Sequence, residues 1–220
     1  MGSNRNFPLL YPILDAAFLA VEDRAAFLGR LTRDLARAGV EVLQYRNKTG
    51  TEAEILADAH VMRKAAGSEL LLILNDWPEQ AAAAGFDGVH VGQTDLSPAE
   101  ARGIVGPGKI VGVSTHNEAQ LRAADREPVD YIAIGPVFAT ATKANPDPVV
   151  GLDGVRLARS LTRKTLVAIG GITLENAAAV RQAGADSIAV ISAIFAPGRD
   201  AAKSAEDFLR VFLKTPSRGQ

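Results

Sequence analysis

Gln44, Arg46 and Lys48 stand two residues apart, the period of an extended chain. If the strand persists they project to one side as a donor-rich surface suited to phosphoryl oxygens. Asp76 and Asp95 each follow a separate apolar run. If those runs are neighbouring strands about 4.8 Å apart, the carboxylates can share one hard divalent cation. Magnesium is the expected ion, with waters and a substrate diphosphate filling its octahedron. The pair Gly170-Gly171 and the pair Ile191-Ser192 stand after later apolar runs and suit a second phosphate site built from backbone N–H groups. Each feature also has a plainer reading: a solvated basic loop, aspartates in turns or caps, tight-turn glycines and an N-cap serine. What argues against coincidence is where they fall.

The elements that must position them are repeated βα units. Short Val, Ile and Leu runs alternate with alanine- and charge-rich stretches along the chain. Eight strands are expected at Leu9–Leu14, Val40–Tyr45, Leu70–Leu74, Gly88–Val91, Ile110–Ser114, Tyr131–Gly135, Leu166–Gly170 and Ser187–Ile191. Helical periodicity is clearest in Asp23–Ala38 and Glu52–Ala66. Eight units in 220 residues predict a closed (β/α)₈ TIM barrel spanning 5–214 as one domain, with an open doubly wound sheet as the alternative. In a barrel the chemistry sits at the C-terminal ends of the strands, and the polar clusters fall there in succession. The stretch from Pro136 to Gly151 is the long aperiodic loop, expected to be weakly anchored and to act as a lid. Gly135-Pro136 reads only as a turn. His60 should be solvated on an outer helix, His90 should fill the barrel interior, and His116 is a second-tier acid–base candidate.

Composition narrows the function classes. The chain has no cysteine, which excludes disulfides and thiolate metal sites, and a formal net charge of -1, which supplies no field for nucleic acid or acidic membranes. No secretory signal or membrane-spanning run is evident, so a cytoplasmic location, small-molecule substrates and no nucleic-acid or membrane partner are expected. A homo-oligomer is left open.

Taken together and in order, LQYRNK, LNDW, DGVHVGQTDL, VGVSTH, DYIAIGPVFATATK, AIGGI and IAVISAIF resemble the thiamine phosphate synthase family. The resemblance implies a transferase that joins hydroxymethylpyrimidine diphosphate to hydroxyethylthiazole phosphate. Gln44, Tyr45, Arg46, Asn47, Lys48, Asn75, Ser114 and Lys143 would hold the pyrimidine diphosphate, and Asp76 and Asp95 would bind Mg²⁺. Thr140, Ala141, Thr142, Gly171, Ile191 and Ser192 would hold the thiazole phosphate. Arg46, Lys48, Ser114 and Lys143 would carry the catalysis. Two departures bear on substrate packing and loop rigidity: Leu14 stands where the family usually has threonine, and Ala139, Ala141 and Ala144 make the threonine loop alanine-rich. A thiazole tautomerase on the same barrel, and a non-catalytic phosphate-ligand sensor, are the competing functions.

Overall fold

The computed structural model describes residues 7–19, 23–140 and 147–214. Its order is β1 (Leu10–Asp15), α1 (Arg24–Arg37), β2 (Val42–Arg46), α2 (Glu52–Ala66), β3 (Leu71–Asn75), α3 (Pro78–Ala83), β4 (Gly88–Val91), α4 (Pro98–Val105) and β5 (Ile110–Thr115). There follow α5 (Glu118–Ala124), β6 (Tyr131–Ile134), α6 (Gly151–Leu161), β7 (Thr165–Ile169), α7 (Ala177–Ala183), β8 (Ser187–Val190), the single turn α8 (Ser192–Phe195) and α9 (Ala201–Lys214). The eight strands are parallel and closed in sequential order, β1 pairing with both β2 and β8. The expected barrel is therefore the observed fold, with strand ends shifted by one or two residues.

Capping explains several helix starts. Thr51 and Ser97 make reciprocal capping boxes with Glu54 and Glu100, and Asp23 and Asn117 accept hydrogen bonds from first-turn N–H groups of α1 and α5.

Alternation along each strand divides the apolar side chains between two cores. Leu10, Leu14, Leu43, Tyr45, Leu72, Leu74, Val89 and Val111 face outward and pack beneath the helices. Tyr11, Ile13, Val42, Ile73, Tyr131, Ala133, Val167 and Ala189 fill the barrel interior. Both faces of every strand are thus covered, which is why the strand sequences are nearly continuously apolar. The same alternation answers the Leu14 departure. Leu14 packs outward among the helices, and Ile13 is the β1 residue that faces the barrel top.

The expectation of a weakly anchored loop after β6 needs correction at both ends. Val137 and Phe138 donate to the carbonyls of Ile169 and Gly170, Val150 and Gly151 donate to those of Pro136 and Val137, and Val137 is fully buried. Its centre, 141–146, lies outside the described residues, as do the site expectations for Ala141, Thr142 and Lys143.

Candidate active site

Two adjoining cavities open at the C-terminal ends of the strands. One, of about 410 Å³, is lined by Gln44, Arg46, Lys48, Asn75, Asp76, His90, Asp95, Ser114 and His116 among others. The second, of about 440 Å³, is lined by Gly171, Ile191, Ser192, Thr173 and Arg199, and shares Thr140, Ile169, Gly170 and Ile191 with the first. Polar residues from the ends of β2, β3, β4 and β5 therefore meet in one space, and the glycine and serine pairs after β7 and β8 meet in the space beside it.

On β2 the even positions point inward, which carries Gln44 and Arg46 to the cavity; Lys48 follows in the loop and arrives there too. Arg46 pairs with Asp15 at the end of β1, and Lys48 pairs with Asp76. Tyr45 and Asn47 do not join them, and this corrects their expected place. Tyr45 points outward, where its hydroxyl donates to Asp58 and accepts from Arg24 Nη2 at 2.8 Å. Asn47 folds under its own loop: its Nδ2 donates to Tyr45 Oη at 3.2 Å and its Oδ1 accepts from the N–H groups of Thr49 and Gly50. Gly50 allows this, since a Cβ there would lie 2.4 Å from Asn47 Nδ2. These two side chains brace the loop that carries Lys48.

Asp76 adopts a positive φ of 68°, outside the region most side chains occupy but tolerated by aspartate. Its backbone N–H donates to the His90 carbonyl at 2.8 Å. The carboxyl it turns toward β4 faces that of Asp95, and each shifts the other's titration. Burial, reinforced by the bond with Asp95, pushes Asp76 up to about 6 against the pull of Lys48. Burial acts to raise Asp95 as well, yet the Asp76 bond, the Gly92 N–H at 2.8 Å and the Lys48 charge hold it below the usual carboxylate range. At neutral pH both carboxyls are thus ionised, with Lys48 as the neighbouring cation, and Asp76 is the one that takes a proton as pH falls through about 6.

That arrangement fits a hard divalent ion: two carboxyl groups just past adjacent strands, close enough for each to shift the other's titration. Among the described residues no group of three or more His, Cys, Asp or Glu side chains is placed to hold a metal, so two carboxylates are what the chain would contribute. Asn75 adds an unpaired donor. Its Nδ2 is buried and has no hydrogen-bond partner, at a cost of about 1–3 kcal/mol that an acceptor in the cavity would relieve.

His90 faces the interior as expected, but it is also the cavity floor. Burial pushes its imidazole down to about 4, so the ring is neutral. His116 gains the partners that its sequence neighbours did not show: Nδ1 donates to the Gly135 carbonyl at 2.6 Å, and Nε2 lies 3.4 Å from Asp147. His60 is exposed on α2. Gly135-Pro136 is more than a turn, since both residues line the first cavity. Gly171 has φ 63°, and a Cβ there would lie 2.5 Å from the Ala139 carbonyl oxygen, so a side chain at this position would displace the loop before it touched any ligand. Ile191 and Ser192 open α8, where the Ile191 carbonyl accepts from the N–H groups of Ile194 at 3.1 Å and Phe195 at 2.9 Å.

Sequence reasoning missed Asp15, Tyr11, Tyr131 and Arg199. The first three were legible in principle from the inward alternation of β1 and the register of β6. Arg199 had no signal, because it reaches the second cavity from a turn after α8.

No helix among the described residues is long and apolar enough to cross a membrane. The family model described as thiamine monophosphate synthase matches residues 10–194. A thiamine-phosphate synthase of Koribacter versatilis is 52% identical over 211 residues, covering 96% of this chain and 99% of that protein. One from Chloroflexus aurantiacus is 41% identical, covering 84% and 87%. Among solved structures, a thiamine phosphate pyrophosphorylase from Pyrococcus furiosus superposes with a TM-score of 0.81 at 28% identity, covering 94% of this chain and 96% of that one.

Proposed function

This chain belongs to the thiamine monophosphate synthase family, a transferase of thiamine biosynthesis, and on that premise we propose how its two cavities divide the reaction. The first receives the pyrimidine diphosphate and the second the thiazole phosphate. The single observation that carries the division is the Asp76–Asp95 pair beside Lys48, Arg46 and the unpaired Asn75 donor: two carboxyl oxygens suited to Mg²⁺ stand among donors suited to diphosphate oxygens.

Asp76 and Asp95 would hold Mg²⁺, which when bound neutralises charge on the diphosphate. Arg46, Lys48 and Asn75 bind the diphosphate oxygens and stabilise the negative charge that grows there as the methylene C–O bond breaks. The bonding electrons leave with diphosphate, the aminopyrimidine ring stabilises the methylene cation, and the thiazole nitrogen lone pair closes the new C–N bond. No protein nucleophile is required. Ser114 and Gln44 orient the pyrimidine ring. Thr140, Ser192 and the backbone of Gly171 and Ile191 anchor the thiazole phosphate, with Arg199 at the rim, so the two reactants approach through the wall the cavities share. Lys143, Ala141 and Thr142 complete the two subsites in the family's pattern. Tyr45 and Asn47 act through the loop rather than on substrate.

Incubating the protein with both substrates, with and without Mg²⁺, tests the reading. Thiamine phosphate and diphosphate should form together and only with the metal. Full turnover in excess chelator would remove Asp76 and Asp95 from the mechanism.

A further inference from the structure

Beneath the first cavity, five side chains form one continuous hydrogen-bonded chain across the barrel. Gln44 Nε2 donates to Tyr11 Oη at 2.7 Å, and Tyr11 Oη lies 2.8 Å from Tyr131 Oη. Tyr131 Oη lies 2.8 Å from His90 Nδ1, and His90 Nε2 lies 2.8 Å from Ser114 Oγ. The two ends, Gln44 and Ser114, line the cavity, while both tyrosines are fully buried. Register holds the middle together. His90, Gly112 and Tyr131 are direct neighbours on β4, β5 and β6, and a Cβ on Gly112 would lie 1.9 Å from the Tyr131 ring. His90 stacks on Tyr131 at 5.5 Å, and Tyr11 meets Tyr131 edge-on at 5.7 Å, so neither phenol can swing aside.

The hydrogen count gives this chain a direction. An amide nitrogen only donates, and a phenol has one hydrogen to give. Tyr11 accepts from Gln44, and Tyr131 is the partner left for its own buried hydrogen, so Tyr11 donates to Tyr131, which in turn donates to His90 Nδ1. An imidazole that accepts at Nδ1 carries its hydrogen on Nε2 and donates it to Ser114 Oγ. The Ser114 hydrogen is then left to point into the cavity, and at the opposite end Gln44 presents its Oε1.

We infer that this relay presents the cavity with a fixed pair, an acceptor at Gln44 and a donor at Ser114, making Tyr11, Tyr131 and His90 the positioning residues that select an aminopyrimidine over its oxo counterpart. The inference rests on reading the first cavity as the pyrimidine site. An aminopyrimidine offers an exocyclic N–H beside a ring nitrogen lone pair, which complements that pair. The oxo form offers a carbonyl beside a ring N–H: the carbonyl is opposed by Gln44 Oε1, whereas the N–H can be taken by the second lone pair of Ser114 Oγ, so the discrimination falls at Gln44. Accepting the oxo form at Gln44 would require its amide to flip and the two phenol hydrogens and the His90 tautomer to reverse with it. A single hydroxyl rotation does not suffice. Buried polar groups left unmatched in this way are what makes a hydrogen-bonding site selective.

The test compares kcat/KM for the aminopyrimidine diphosphate and its oxo analogue in the wild type, Tyr131→Phe and Tyr11→Phe. Each variant breaks the relay and should lower the amino-over-oxo preference by about tenfold or more, while the KM for thiazole phosphate stays constant. An unchanged preference in a folded variant overturns the inference. Nitrogen NMR of His90 in the ligand-free wild type supplies a readout independent of turnover: the Nε2–H tautomer is expected, and the Nδ1–H tautomer overturns the relay. A wild type that makes no thiamine phosphate would count against the cavity reading, and the tautomer would still decide the relay.

Discussion

The two ends of the barrel handle buried charge in opposite ways. At the N-terminal end a single device recurs before β4, β6 and β8. Asp87, Asp130 and Asp186 each accept a backbone N–H at 2.8 Å, from Leu72, Val111 and Leu166, and each also accepts from an arginine, Arg63, Arg102 or Arg159. Their own N–H groups donate back to the same three carbonyls, and the arginines reach further carbonyls at the ends of α2, α4 and α6. Donors and acceptors within these three clusters answer one another. At the C-terminal end they do not: Asn75 keeps an unpaired donor, Asp76 sits at positive φ, and the half-buried carboxyls of Asp76 and Asp95 stand together. The lesson is that the satisfied end holds the barrel closed, while the unsatisfied end is kept so for a ligand that brings the missing charge and acceptors.

Substitutions at the two ends should therefore fail differently. The largest effect is expected for Asp95→Ala, which removes a metal ligand and no core volume. Its kcat should fall by about 10²–10³-fold with the melting temperature held or raised in the absence of metal, because Asp76 loses a like-charged neighbour. Steady-state kinetics across Mg²⁺ concentration, beside thermal melts, will show this; wild-type turnover at limiting Mg²⁺ would erase the distinction drawn between the two ends.

At the other end, Asp87→Ala strands the Leu72 N–H and takes from the Arg63 guanidinium its carboxylate, leaving it only backbone carbonyls. The expected cost is about 1–3 kcal/mol, or a drop of about 2–4 °C in melting temperature per kcal/mol, with kcat/KM unchanged. Denaturant titration against activity checks it. A loss of activity without a loss of stability would mean that the N-terminal end communicates with the site.

The smallest effect concerns pH. Folded Asp76 titrates at about 6 against an ordinary value of 3.8, so between those values the folded protein holds a proton that the unfolded chain has released. Its contribution to stability is fully present below 3.8, declines as pH rises through about 6, and is level above. Melting temperature measured over this window should show a step in wild-type protein that is missing from Asp76→Asn. Added Mg²⁺ should flatten it, since the ion competes with the Asp76 proton. A step that survives in Asp76→Asn would belong to another group.

The barrel was legible because its signal is repeated. Eight apolar runs each bury two faces, and each one reinforces the count. The first cavity was largely legible too, since Gln44, Arg46, Lys48, Asn75, Asp76, Asp95 and Ser114 all stand at or just past strand ends, and barrel geometry sends those positions to one mouth. Tyr45 and Asn47 show the limit of that logic. They sit inside the same short motif, but strand alternation turns Tyr45 outward, and Asn47 finds its acceptors and donors within its own loop.

The amino-acid sequence by itself determined the order of the elements, the alternation that sends Gln44 inward and Leu14 outward, and the family, because these depend on local period and on residue types in succession. Only the tertiary structure decided which charges meet. Arg46 pairs with Asp15 across 31 positions and Tyr11 bonds to Tyr131 across 120, and neither pairing leaves a trace in local sequence. They follow from closure of the barrel, which fixes the register of every strand against its neighbours and so brings distant side chains within hydrogen-bond reach.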